Sequence, residues 1–573
     1  MLSPQNQQFT VLDSIDSTQT AWYDEIDAAI RRSDIIPGDY EYTSATSYGN
    51  TGKIRENEST YVDLAPPRFK VISLDNSYIT IEQTLNITLS EALNTNKLCK
   101  YWYIGYKFAP EIIGQYRIHT NTDLLQTVNH ANYEWFMIQN SISDDVKDKD
   151  ECYATVDKIR RMDPNVPGTY VDLSAVSATA NPISVTINVK IPVSSFLIFY
   201  NLKWFAEWMG KVCIEIYPSY KNLVVCPVVD LSADVCSFKN AGDDESASPH
   251  TLAEVLPKLP TSFHAGFHNV NEEFIGILKN TNAVWNDANN KDTLKFIIND
   301  QVSDKIQIRT AQYMLQADVY DGIAQRYMSK PLVFPIQTIE SKDFTTSLPD
   351  SAAEANVPVN TAMTVALKHC DAAFTVFRKD INSTTCFENP NLKNVTFNIN
   401  GKYYPREHID TLDDVKSRNL TLDALNCNRS LVTQIPKDLH TSIQPYTNYT
   451  SISSANTDPD PVTGATVYRK TANKLYTVGD RSNYMLGIPF ADSDDFMGGI
   501  STANATIQIQ MTGTRPPNST TNGNNNYNTM TTFGQPTMII TQDCLLKIWA
   551  FKSATRKQIE ITHETIEQIA LTV

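Results

Sequence analysis

"ISVTINVKIP", residues 183–192, alternates apolar and polar at every step: Ile183, Val185, Ile187, Val189 and Ile191 against Ser184, Thr186, Asn188 and Lys190. Successive side chains of a strand leave on opposite faces, so this stretch has one buried face and one wet face, and Pro192 closes it. The same period recurs on both sides. "GKVCIEIYPS" alternates at Val212, Ile214 and Ile216, "YITIEQTLNITL" at Ile79, Ile81, Leu85, Ile87 and Leu89, and "CKYWYIGYKF" is aromatic and β-prone. Farther along come "KIQIRTAQYMLQADV", "DAAFTVFRKD", "NVTFNINGKYYP", "TIQIQMTG" and "DCLLKIWAF". Many short strands without a strand–helix–strand rhythm indicate a sandwich or barrel rather than an α/β enzyme.

The chain has 573 residues, 41% hydrophobic and 20% charged, the composition of a globular protein with several domains. Residues 1–60 read as an arm: one helical candidate, "TQTAWYDEIDAAIRRS", offers Trp22, Ile26, Ala29 and Ile30 as an apolar face and precedes the polar "YTSATSYGNTGK". A lone amphipathic helix needs a partner to bury it. A first β block is expected over 61–238, containing a short helix at "TVNHANYEWFMIQNSI" and an acidic loop at "SDDVKDKDE". Residues 239–300 lose the alternation and read as a connector, "AGDDESASPH" a polar linker and "NVNEEFIGILKNTNAVWND" a helix and loop. A second β block follows over 301–573, its strands separated by "SISSANTDPDPVTGATVYRK" and "RPPNSTTNGNNNYNTM", whose Pro, Gly and Asn content disfavours regular structure. The blocks share a weak repeat. In the first, Ile191-Pro192 leads through an irregular loop to Gly210 and the strand Val212–Ile216; in the second, Ile488-Pro489 leads to Gly499 and Ile507–Met511.

Composition excludes several functions. A net charge of −16 opposes a surface that wraps nucleic acid, and Lys158, Arg160 and Arg161 form an ordinary solvated cluster. No apolar run approaches the length of a spanning helix, and "MLSPQNQQFT" has no secretory signal, so a reducing compartment is expected. Nine cysteines without paired spacing fit that setting, and the nine N-x-S/T sites, Asn86 and Asn394 among them, then reflect composition alone.

No catalytic, cofactor-binding or metal site emerges. "HAGFH" sets His264 and His268 four apart with Glu272 beyond, but Gly266 weakens the helix that a metal pair needs. Asp492, Asp494 and Asp495 in "ADSDDF" lack the glycine and distal glutamate of a calcium loop and read as an acidic turn. The serine-hydrolase, P-loop and dinucleotide fingerprints are absent from the sequence. The aromatic run "FLIFYNLKWFAEWMGK" admits three readings. Phe199, Trp204, Phe205 and Trp208 either pack over one end of a sandwich, contact another subunit, or offer a stacking platform for a ligand such as a carbohydrate.

Four stretches together resemble the double jelly-roll major capsid proteins of polinton-like viruses, Maverick/polinton elements and virophages. They are "IPVSSFLIFYNLKWFAEWMGKVCIEIYPSYKNLVV", "YWYIGYKF" with Gly105, Tyr106 and Lys107, "NPNLKNVTFNINGKYYP" and "YMLGIPFADSDDFMGGIST". The resemblance covers most of residues 61–560. It implies an all-β chain of two side-by-side eight-stranded jelly rolls, three chains per pseudo-hexameric capsomer, and an icosahedral shell around double-stranded DNA. It also implies no enzymatic activity and no cofactor, with the chain itself and minor capsid or penton proteins as partners and the virion as location. The second block's long loops would form the outer turret and the arm would lie inside. An acidic chain would leave the DNA to other components.

Overall fold

The structure is a computed structural model. It describes residue 26; residues 40–49, 53–89, 101–121, 123–172, 182–228, 296–329, 332–345, 359–378, 382–388, 395–399, 401–409, 414–426, 482–491, 506–511 and 535–548; and shorter pieces between them.

Sixteen strands build two sandwiches with one strand order. In the first they are β1 (Tyr40–Thr46), β2 (Thr60–Leu64), β3 (Lys70–Leu89), β4 (Ile113–His119), β5 (Leu124–Val128), β6 (Ile183–Pro192), β7 (Val212–Pro218) and β8 (Phe296–Met314). In the second they are β9 (Leu332–Asp343), β10 (Val359–Thr364), β11 (Cys370–Val376), β12 (Val395–Ile399), β13 (Lys402–Ile409), β14 (Leu486–Pro489), β15 (Thr506–Met511) and β16 (Thr537–Ile548). The first sandwich pairs β1-β8-β3-β6 in one sheet and β2-β7-β4-β5 in the other. The second pairs β9-β16-β11-β14 and β10-β15-β12-β13, the same order shifted by eight. All these pairs are antiparallel, and each eight-stranded, two-sheet unit is a jelly roll.

The opening stretch is β6, and its burial follows its sequence: Val185, Ile187, Val189 and Ile191 are buried while Ser184, Thr186, Asn188 and Lys190 are exposed. Its partner β3 buries Ile79, Ile81, Leu85 and Ile87 on the same side, together with Gln83. Gln83 is accommodated because its carbonyl accepts the Tyr106 hydroxyl at 2.6 Å.

Two strands outside the expected 61–238 block complete the first roll. β1 lies in the arm, and β8 crosses the expected boundary at 300 to pair with β3 along almost its whole length. Local period found only the second half of β8, in "KIQIRTAQYMLQADV", and counted it with the second block. β1 exposes Thr43, Ser44, Ala45 and Thr46, and β8 shifts register between Ile298 and Asp300, Asp304 and Gln307, and Arg309 and Ala311, each bulge breaking the alternation. The expected connector also differs. Phe274–Gly276, expected in a helix and loop, pairs as a strand with Asp292–Leu294. Thr457–Pro459 and Thr466–Tyr468, expected to be irregular, pair as an antiparallel ribbon. "RPPNSTTNGNNNYNTM" lies outside the described residues, as do Trp22, Ala29 and Ile30 of the arm, whereas Ile26 is helical and buried in the first roll's core.

Excursions from the first roll form a third sheet, ordered 268–269, 224–227, 101–105 and 168–172. Three helices matter below. The expected helix after β5 is α1 (Ala131–Ser141), α2 (Ala317–Ser329) joins the rolls, and α3 (Asp414–Asn426) follows β13. No helix among the described residues is long and apolar enough to cross a membrane.

Candidate functional site

The two rolls meet along a buried seam. On β16 the side chains divide between two cores, Met538 and Ile540 joining the second roll's own core while Ile539 and, farther along the strand, Cys544, Leu546 and Ile548 join the core that runs into the first roll. β11 divides likewise, Ala373 inward and Ala372, Phe374 and Val376 toward the first roll. Both faces of this sheet are therefore covered, so β11 and β16 are buried at nearly every position and their sequences do not alternate.

Polar side chains fix the register of the seam. The strand 101–105 ends at Gly105, where a Cβ would stand 2.5 Å from the Gly168 Cα, the Pro167 carbonyl oxygen and the Tyr103 hydroxyl, so only glycine fits. That close approach delivers Lys107, fully buried, to the second roll. Its ammonium donates to Asn483 Oδ1 at 2.8 Å, Ser482 Oγ at 3.1 Å and the Ser482 carbonyl at 3.4 Å, and lies 5.5 Å from the centre of the Phe136 ring. Three donors thus meet three acceptors, which a buried ammonium requires. From α1, Asn132 Nδ2 donates to the Thr384 carbonyl at 2.7 Å, Tyr133 stacks on Phe387 at 6.0 Å, and Phe136 meets the same ring edge-on at 4.8 Å.

Asn269 makes the densest contact. Its Oδ1 accepts the backbone N–H groups of Thr384, Thr385 and Cys386 at 3.1, 3.2 and 3.0 Å, and its Nδ2 donates to the Thr385 and Thr384 hydroxyls at 2.9 and 3.2 Å. Nearby, the Ser383 hydroxyl donates to Glu272 Oε1. His264 lies outside the described residues, His268 is buried in a short strand paired with Val225, and Glu272 serves the seam. No cluster of three metal-ligating side chains occurs among the described residues. Asn269 itself carries no sequence signal; only its partners' backbone identifies it.

The aromatic run packs inside the chain. Phe199, Trp204, Phe205 and Trp208 are all buried, Trp208 stacking on Tyr327 of α2 at 5.6 Å and Trp204 meeting Tyr313 edge-on at 5.4 Å. Phe199 and its neighbours pack on β9, and Asn201 Nδ2 donates to the Pro335 carbonyl at 2.7 Å. These rings therefore offer neither a ligand platform nor a contact to another subunit. The acidic turn of Asp492, Asp494 and Asp495 lies outside the described residues.

Among the described residues, two of the sheet faces open to solvent lie on the first roll. Across β2-β7-β4-β5 runs the row Tyr61, Glu215, Arg117, Thr127, extended by Tyr48 beside Tyr61. The Tyr61 and Tyr217 hydroxyls donate to Glu215 Oε1 at 3.0 and 2.8 Å, and Arg117 stands 3.7 Å from its other oxygen. Burial opposes ionisation of this carboxyl, but the hydroxyls and the guanidinium outweigh it and hold Glu215 below the usual carboxylate range. The other face belongs to β1-β8-β3-β6 and is mostly polar, with Ile297 exposed on it. All six described cysteines are buried, and burial pushes Cys370 up to about 12.

No family model matches the sequence, and no curated protein matches it. Among solved structures, the chain is similar to the mavirus major capsid protein at 8% identity and a TM-score of 0.48, covering 92% of this chain and 91% of that one. It is similar to a chain of the Sputnik virophage at 11% identity and a TM-score of 0.42, with 92% and 90% covered. The Faustovirus major capsid protein gives 9% identity and a TM-score of 0.36, with 94% and 98% covered.

Proposed function

We propose that the chain is the major capsid protein of a double-stranded DNA virus of the polinton and virophage kind, and that its activity is assembly. The observation that carries this is the repetition of one eight-strand order, β1 to β8 and β9 to β16, in two rolls joined by a buried seam. Two equivalent bodies per chain let a closed trimer present six, and a six-sided unit tiles a shell where a three-sided one leaves gaps. Each chain-to-chain contact in the trimer must bury more than ~1,000 Å², while contacts between trimers gain strength by repetition. The partners are then further copies of the chain and the minor capsid or penton proteins, in the virion. With a net charge of −16, the chain leaves the DNA to other components.

Light scattering and negative-stain microscopy of the purified chain test the proposal. Particles of three chains with a hexagonal outline are expected. A chain that stays monomeric at all concentrations would rule assembly out.

A further inference from the structure

The outermost strand of a sheet holds a row of backbone groups without strand partners, and the two rolls treat equivalent edges differently. In the second roll the edge strand β9 is blunted. Pro335 sits in it with no N–H to offer, its carbonyl accepts the Asn201 amide of the first roll at 2.7 Å, and Glu340, Lys342 and Asp343 stand exposed farther along. The counterpart in the first roll is β1, the outermost described strand of its sheet. From Thr43 to Thr46 it has no proline and no charge, and its pairing with β8 has no bulge from Tyr40–Tyr313 to Thr46–Gln307.

The direction of its backbone groups follows from its neighbours. The Ser47 N–H donates to the Ile306 carbonyl at 3.0 Å, so an antiparallel ladder turns Ala45 and Thr43 toward β8 as well. The N–H and C=O groups of Ser44 and Thr46 therefore point away from β8, toward the open edge. The side chains of Thr43, Ser44, Ala45 and Thr46 are all exposed, so neither face of the sheet obstructs an incoming strand.

We propose that this edge is where a second copy of the chain adds, an extended segment of that copy pairing with the backbone of Ser44 and Thr46. The inference rests on the assembly reading above and gives one chain-to-chain contact a place on the fold. Two observations select the occupant. The equivalent edge, β9, is already closed by a roll of this same chain through Asn201. In addition, chains of net charge −16 repel one another, so copies approach best where that charge is absent, as it is over 43–46. Backbone pairing also fits a contact made after folding: water satisfies the edge groups in the free chain, and a strand replaces it when another copy arrives.

Proline at an outward and at an inward position tests the edge in the full chain. Ser44→Pro removes an outward N–H and no bond to β8, so Tm should hold while sedimentation equilibrium shows association weakened by about tenfold or more. Ala45→Pro removes an inward N–H and should lower Tm. Hydrogen exchange of the wild type, resolved to single residues, needs no substitution: the Ser44 and Thr46 amides should exchange freely in dilute chain and slow by about tenfold or more in the assembled particle. Unchanged association of a folded Ser44→Pro chain overturns the edge and leaves assembly intact, and so do Ser44 and Thr46 amides that stay unprotected on assembly. If both prolines lower Tm, the exchange measurement decides. A wild-type chain that never associates removes the assembly reading itself.

Discussion

Asn269→Leu is the sharpest test of how the rolls are joined. The substitution keeps the side chain's approximate volume and removes one acceptor that serves three backbone N–H groups, those of Thr384, Thr385 and Cys386, along with the donor to two hydroxyls. Thr385 and Cys386 are buried, so the orphaned groups have little access to water. An unsatisfied buried group costs about 1–3 kcal/mol. Three such groups, softened by relaxation of the 382–388 loop, give an expected loss of ~3 kcal/mol or more in the local opening free energy. At 1.4 kcal/mol per factor of ten, that is about 100-fold faster amide exchange at these three positions. Asn269→Asp keeps the oxygen that accepts the three N–H groups, and the Thr385 hydroxyl can rotate to donate to the other, so its loss should be smaller. Native-state hydrogen exchange read by mass spectrometry on peptides covering 382–388 measures both. Equal exchange in wild type and Asn269→Leu would refute the assignment of Asn269 as the keystone of the seam, and so would equal losses in the two variants.

Two further expectations follow from the packing and the electrostatics. Trp208→Ala removes a 1% exposed ring stacked on Tyr327 and should destabilise the chain itself by about 3–5 kcal/mol, seen as a large fall in Tm before any question of assembly; an unchanged Tm with lost trimer would restore an interface role to the ring. Glu215 has its folded pKa below that of an unfolded glutamate, ~4.3, so its contribution to stability is full above that pH and disappears as pH falls through the lower folded value. Comparing Tm against pH for wild type and Glu215→Gln should show the gap between them closing on acidification. A gap independent of pH would contradict the hydroxyl-stabilised carboxylate.

Alternation is a local signal, and it was legible wherever one face is dry and the other wet. β3, β6 and β7 announced themselves in this way, as did α1 by its run of large apolar side chains. The polar exposed residues of β1 hid that strand, and the alternating half of β8 was legible but its place in the first roll was not, because pairing is set by partners up to 273 positions away in the chain, as Tyr40 with Tyr313. The aromatic run illustrates a different limit. Its composition suits a core, an interface or a platform equally, and only the placement of Tyr313 and Tyr327 beside Trp204 and Trp208 assigned it to the core.

The sequence by itself determined that the chain is all-β, that its strands fall into two blocks, and that no catalytic motif interrupts them, since each of these follows from residue type and local period. The tertiary structure alone decided which sheet faces are covered. β11 and β16 are dry on both sides because another roll lies against them, and β6 stays wet on one side because none does within the chain. Burial against a distant segment leaves no period in the strand it covers, so the seam through Lys107 and Asn269 and the bare face beside Arg309 appear only once the strands are paired.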